Sequence, residues 1–312
     1  MTYPSFSILI ATKDRPESMR KLLGSIVAST IKPQKVIVIS SGSPIEEIVS
    51  EFRHAINIDY CHSEVAGQVN QKKTGIMRLQ SETPWVMFLD DDLLLAPNAA
   101  EKAFETLNQH LTTTSEIVGI GLGLTPTSRL ERSSYFKNLI GRALCLSSDV
   151  PGKVLRSGQG VSYLENPEPI FTEWLNGASV WRIESVNQYL SSVPSSDYAA
   201  CEDLVFSYRQ SKRGKLLFAP YAKVFFQDSE SNDYNRKQAI VSGSAWRYFF
   251  VKSNPDLSIL LLLYSQAGRL IHVLMTDYRN REAIKAAFFS LRQLVYAVAQ
   301  NREPMYLIEK NS

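Results

Sequence analysis

The chain has 312 residues, 44% apolar and 21% charged, with a formal net charge of +3, the composition of a soluble globular protein with room for one large domain or one domain plus an appendage. Its three cysteines (Cys61, Cys145, Cys201) are scattered, which excludes a cysteine metal centre and reads as reduced thiols in a cytosolic protein. The longest apolar window, 257–274, is broken by Gln266, Arg269 and His272, so a membrane span is excluded, and the lack of a dense basic run excludes nucleic-acid binding.

The N-terminus opens directly on a strand-like run, FSILIAT, with no basic n-region before it, so no signal peptide is expected. DRPESMRKLLGSIVAS predicts a helix with Pro16 in its first turn and Leu22, Leu23 and Ile26 on one face. KVIVIS (35–40) predicts a buried strand, IEEIVSEFRHA (45–55) a helix, INIDYCH (56–62) a short strand, GQVNQKKTGIMRLQ (67–80) a helix and WVMFLD (85–90) a strand. Strand and helix alternate with short loops, which predicts a mainly parallel sheet covered on both faces. SEIVGIGLGLTPT offers another strand; its glycines lack the third position and following helix of a dinucleotide fingerprint. FTEWLNGASVWRIE (171–184) enters as a strand before Asn176-Gly177, AACEDLVFSYRQSKRG (199–214) predicts a helix from near Glu202 to Gly214, and KLLFAPYAKVFF (215–226) a strand pair around Pro220. The remainder predicts three helices; on the last, Ile284, Ala287, Phe288, Leu291, Leu294, Val295 and Val298 recur at helical spacing.

Between two apolar runs stand Asp90, Asp91 and Asp92. Adjacent carboxylates repel one another and resist desolvation, so a cluster in this setting calls for a cation. Mg²⁺ and Mn²⁺ prefer such hard oxygen ligands and share them with substrate phosphates. In an extended segment Asp90 and Asp92 point to one side and Asp91 to the other. The competing reading, a solvated acidic turn ahead of a helix at Pro97, fits poorly between two buried runs.

SILIATKDRPESMRKLLGSI, VIVISSGS, GQVNQKKTGI, WVMFLDDDLLLAPNA, WLNGASVWR and CEDLVFSYRQSKRGKLLFAPYAKV occur in that order. Together they resemble the family 2 glycosyltransferases, over roughly residues 5–230. The resemblance implies an α/β GT-A fold (a nucleotide-diphospho-sugar transferase, Rossmann-like) with a mixed sheet and a helical C-terminal extension. It implies a transferase domain over 1–231, with a nucleotide-binding half at about 1–110 and an acceptor-binding half at about 111–231, and an extension over 232–312. It implies a nucleotide-sugar donor, UDP- or dTDP-linked, with Ala11, Thr12, Lys13 and Arg15 along the nucleotide, Ser40 at the nucleobase and Lys72 near base or phosphates. Asp90 would contact the ribose and Asp91 belongs to the same donor set. Asp92, with Asp90, would bind Mn²⁺ or Mg²⁺ on the diphosphate. Asp203 would be the general base of an inverting displacement, supported by Glu202. Trp174, Asn176 and Gly177 would lie under the acceptor, and Trp181 in the core.

Two positions depart from the family pattern. Ser40 replaces an Asp that reads the base edge, and Phe226-Gln227 stand where many relatives have a metal-binding His, leaving Asp228 as a nearby substitute. Residues 232–312 hold 11 Lys+Arg against 6 Asp+Glu among many leucines and aromatics. That pattern suits a helix lying on the inner membrane face beside a glycan or lipid-linked acceptor, or equally a homodimer interface. The implied product is a bacterial surface polysaccharide or O-antigen. A phosphatase of the haloacid dehalogenase type also uses Asp-x-Asp but has Thr or Val where Leu94 stands. The alternative from another class is a catalytically silent sugar-nucleotide or membrane-binding module.

Overall fold

The computed structural model describes residues 3–79, 83–111, 116–125, 135–196, 199–227, 236–276, 279–304 and 307. Strands β1 (Phe6–Lys13), β2 (Lys35–Ser41), β3 (Ile58–His62) and β4 (Trp85–Asp90) alternate with helices α1 (Pro16–Val27), α2 (Glu46–Phe52) and α3 (Gln68–Arg78). Then come β5 (Leu93–Leu95), α4 (Ala99–Leu111), β6 (Ile117–Thr125), α5 (Tyr135–Ala143), β7 (Ile170–Thr172) and β8 (Ser179–Arg182). After α6 (Ile183–Val186), α7 (Tyr189–Ser192), α8 (Glu202–Ser211) and β9 (Lys215–Phe226), the chain continues as α9 (Arg236–Lys252), α10 (Ile259–Thr276) and α11 (Arg281–Ala299).

The strands form one mixed sheet in the order β3-β2-β1-β4-β8-β6-β9-β5, with β7 on β9. β3, β2, β1 and β4 run parallel, and β8 is antiparallel to both β4 and β6. Ile8, Ile10, Val36, Val38, Met87 and Leu89 share one core cluster with Met19, Leu22, Leu23 and Ile26 of α1. Each such side chain contributes about 1.5–3 kcal/mol when fully buried. α3 lies so flat on the sheet that a Cβ on Gly75 would sit 2.1 Å from Leu9 Cδ1.

Two expectations change. β9 is one strand and not a pair: its pairing with β6 skips from Ala219 to Lys223, so Pro220 sits where its missing N–H removes no ladder bond. α11 buries Ala283, Ala286, Ala287, Ser290, Leu294 and Ala297, while Phe288 and Val295 are exposed. The small side chains let α11 pack closely against α9 and α10, and the bulky ones are turned outward.

Packing divides the chain into two compact units. The first is 1–130, 163–197 and 206–230, and contains the sheet; the second is 131–162, 198–205 and 231–312, and contains α5 and α9–α11. Among the described residues no helix is long and apolar enough to cross a membrane.

Candidate active site

The register brings the carboxyl ends of three strands level. Ala11 pairs with Ile39 and with Asp90, Thr12 with Ser40 and Lys13 with Ser41. Ligands of open α/β sheets bind outside this edge. The residues expected along the donor therefore stand side by side in the first unit.

Each aspartate has different surroundings. Asp91 is buried and both its oxygens are engaged: Thr12 Oγ1 donates to Oδ2 at 2.7 Å and Arg15 Nη1 to Oδ1 at 2.9 Å. Burial pushes its pKa up, opposed by Arg15 and Thr12. Asp90 Oδ1 accepts from Gln68 Nε2 at 2.7 Å and lies 3.7 Å from Lys72 Nζ. Lys72 is itself buried, with its ammonium 5.9 Å from the Phe88 ring centroid. Asp92 meets Arg15 Nη1 only at 3.7 Å. Burial first, then the negative charges of Asp90 and Asp91, push its pKa up to about 6. Asp92 is thus a carboxylate whose ionisation calls for a further positive charge. Among the described residues no group of three or more His, Cys, Asp or Glu is arranged to hold a metal ion. Mg²⁺ or Mn²⁺ shared with substrate phosphates needs only one or two carboxylates, and the hard oxygens of Asp92 and Asp90 fit that role.

Glutamines that sequence reading missed hold the edge in place. Gln71 Nε2 donates to the carbonyls of Thr12 (2.6 Å) and Ile39 (2.8 Å), tying β1 to β2. Gln227 Nε2 donates to the carbonyls of Ser18, Asp91 and Leu93, and its backbone N–H to Asp92 O at 2.7 Å. The position expected to depart from a metal ligand therefore braces the aspartate turn. Asp228 lies outside the described residues. Gln68, Gln71 and Lys72 recur at i, i+3 and i+4 on α3, a spacing that puts them on one helix face and was the available signal.

Ser40 is buried, and its hydroxyl bonds Tyr60 OH (2.8 Å) and His62 Nδ1 (3.1 Å). Lys13 is exposed. Asp14 adopts φ +53° and accepts from Ser43 N–H at 2.8 Å, which fixes the loop that carries Arg15. Gly177 faces Asp90: a Cβ there would lie 2.5 Å from Asp90 Oδ2. Beside it Asn176 is buried with neither side-chain amide atom hydrogen-bonded. Trp174 is half-buried and edge-on to Tyr163 at 5.2 Å, whereas Trp181 is in the core. Glu202 and Asp203 belong to the second unit. They open α8, Glu202 buried and Asp203 Oδ1 accepting from Leu204 N–H at 2.7 Å, where carboxylates interact favourably with the helix dipole.

A mixed sheet with a parallel α/β half, an aspartate turn at its carboxyl edge and a neighbouring glycine loop is the architecture of the GT-A fold. Residues 7–158 match the family model for glycosyl transferase family 2. No curated protein matches the chain. Among solved structures, TarS 1–349 of S. aureus superposes with a TM-score of 0.61 at 14% identity, covering 94% of this chain and 81% of that one. Its complex with UDP-GlcNAc gives 0.56 at 12% identity, covering 96% and 92%. Its complex with UDP gives 0.52 at 13% identity, with the same coverage.

Proposed function

We propose that the protein is an inverting glycosyltransferase that moves a sugar from a UDP-sugar to a hydroxyl of a glycan or lipid-linked acceptor on the cytoplasmic side of a membrane. The observation that carries this is the aspartate turn: Asp91 is locked by Thr12 and Arg15, leaving Asp92 poorly neutralised beside Asp90. The family match supports the reaction class, and the structural neighbour crystallised with UDP-GlcNAc and UDP makes a uridine nucleotide the first donor to test.

In this reading Lys72 and Arg15 face the nucleotide's anionic groups, and Asp90 and Asp92 would hold Mn²⁺ or Mg²⁺. That ion would neutralise charge developing on the departing diphosphate. Ala11, Thr12 and Lys13 border the nucleotide. Ser40 reaches the nucleobase only through Tyr60 and His62, its hydroxyl being taken up by them. Asn176, Gly177 and Trp174 form the acceptor floor, where an acceptor hydroxyl would satisfy the unpaired Asn176 amide. Asp203 takes the proton from the acceptor hydroxyl as its oxygen bonds to C1; the bond from C1 to the diphosphate oxygen breaks, and UDP leaves. Glu202 orients the base.

Thermal-shift titration with UDP, dTDP, GDP and CMP, each with and without Mn²⁺, tests the donor site. One nucleotide is expected to give a metal-dependent shift that Asp92→Ala abolishes; no shift with any of them would sink the assignment. Asp203→Asn is expected to lower turnover by about 10²–10⁴-fold while UDP still binds. Turnover unchanged by that substitution would remove the base and favour a silent sugar-nucleotide-binding module.

A further inference from the structure

The second unit carries a half-open pocket of about 710 Å³, lined in part by Cys201, Arg247, Gln266 and Arg269. Three buried nitrogens of these residues have no hydrogen-bond partner: Arg247 Nε, Arg269 Nε and Gln266 Nε2. The bonds the guanidiniums do make go to neutral oxygens, Arg247 Nη1 to Gly243 O at 3.3 Å and Arg269 Nη2 to Gln159 Oε1. Among the described residues no carboxylate forms an ion pair with either arginine. Burial and the neighbouring charge of Arg247 push the Arg269 pKa down to about 9. Two neighbouring, partly buried cations whose Nε donors are buried and unused favour an anion that reaches both. Guanidinium forks match carboxylates and phosphates alike in geometry, but two cations are better balanced by a phosphate monoester, with a charge of about −1.5 to −2, than by a single carboxylate; Gln266 adds a further donor.

We propose that Arg247, Arg269 and Gln266 form a binding site for a phosphate group carried on the acceptor. The inference rests on the glycosyltransferase reading for its last step: Cys201 of the cavity wall directly precedes Glu202 and the base Asp203, so an anion held here anchors an acceptor beside the proton-accepting residue. The donor's diphosphate belongs to the separate Asp92–Lys72 cluster.

The test uses the full chain in EDTA, so that the donor site does not respond to metal. Inorganic phosphate, a hexose 6-phosphate and the free hexose are titrated by calorimetry against chloride at equal ionic strength. Saturable binding of both phosphates and none of the hexose is expected. Arg247→Gln and Arg269→Gln should each weaken it about tenfold or more, the loss of charge-assisted hydrogen bonds. No saturable binding, or binding kept in both variants, overturns the site. The hexose 6-phosphate should bind at least about tenfold tighter than inorganic phosphate; equal affinities mark a free-phosphate site and overturn the acceptor assignment. Should the variants not fold, a tungstate soak of wild-type crystals decides: a peak within hydrogen-bond reach of both guanidiniums supports the site, and any other result overturns it. A separate UDP–Mn²⁺ titration keeps the two readings apart. Its failure alongside intact phosphate binding removes the transferase reading, and its success without phosphate binding removes only this site.

Discussion

Asp92 differs from its two neighbours in how little offsets its charge. Asp91 has Thr12 and Arg15, Asp90 has Gln68 and Lys72, and Asp92 has one guanidinium at 3.7 Å. A carboxyl raised from 3.8 to about 6 on folding holds its proton more tightly in the native state. Stability from this group is therefore full below about pH 4, falls as pH rises to about 6, and stays low above that. One pKa unit corresponds to about 1.4 kcal/mol; screening at a side chain 33% exposed leaves about 1–2 kcal/mol in total. Asp92→Asn in EDTA is thus expected to be more stable than wild type by that amount at pH 7.5 and equal to it near pH 4. Urea denaturation at both pH values checks this, and a pH-independent difference would refute it. Gly177→Ala acts on the adjacent carboxylate. Its Cβ would press on Asp90 Oδ2, the end of a side chain that can rotate but is held by Gln68. The fold is expected to survive with a stability change under about 1 kcal/mol, while the metal-dependent UDP shift weakens at least about tenfold as Asp90 is displaced. A parallel loss of stability would mean that the glycine serves packing alone.

Strand β6 shows how an element's composition is fixed by what crosses it. A Cβ on Gly119 would lie 2.6 Å from the Trp181 ring, and one on Gly121 2.8 Å from Leu175. These glycines, two residues apart on one face of the strand, leave room for the large side chains that cover the sheet centre, including the fully buried Trp181. Gly119→Val is expected to destabilise by about 1–3 kcal/mol through overpacking, seen as a lower urea midpoint at unchanged slope; an unchanged midpoint would show that Trp181 can move aside. The same contacts explain what the sequence could and could not reveal. β1, β2 and β4 were legible because strands covered on both faces read as unbroken apolar runs, and α8 because Glu202 and Asp203 favour a helix start. The buried face of α11 was not legible: close helix packing selected Ala and Ser over Phe288 and Val295, and hydrophobic periodicity follows the bulky residues. Nor were the tasks of Gln68, Gln71 and Gln227, since their partners are mostly backbone carbonyls brought together only by the fold. Asp90–Asp92 were legible as a cluster, but the burial of Asp91 against Thr12 and Arg15 depends on register between β1 and β4.

Charge over the whole molecule is divided: 232–312 has 11 Lys+Arg against 6 Asp+Glu while the chain totals +3, so residues 1–231 are net negative. The basic segment also exposes large apolar side chains, with Leu260 at 77%, Phe288 at 59% and Met275 at 56%. Lys285 and Arg292 are exposed on α11 alongside Phe288 and Phe289. Apolar residues interleaved with cations suit the headgroup region of an anionic bilayer, where each Lys or Arg near the surface contributes about 1 kcal/mol and each apolar side chain adds its burial. A second copy of the same face would bring like charges together. The protein is therefore expected to co-sediment with anionic vesicles and not with zwitterionic ones, and to be released substantially at about 0.5 M salt, where the Debye length has fallen to a few ångströms. Phe288→Ser with Phe289→Ser should weaken vesicle binding by about tenfold or more, from the loss of two aromatic burials, without lowering the UDP–Mn²⁺ shift, because neither residue belongs to the donor site. Sedimentation equilibrium without vesicles is expected to give a monomer mass; a salt-insensitive, concentration-dependent dimer abolished by the same substitutions would instead assign the face to self-association.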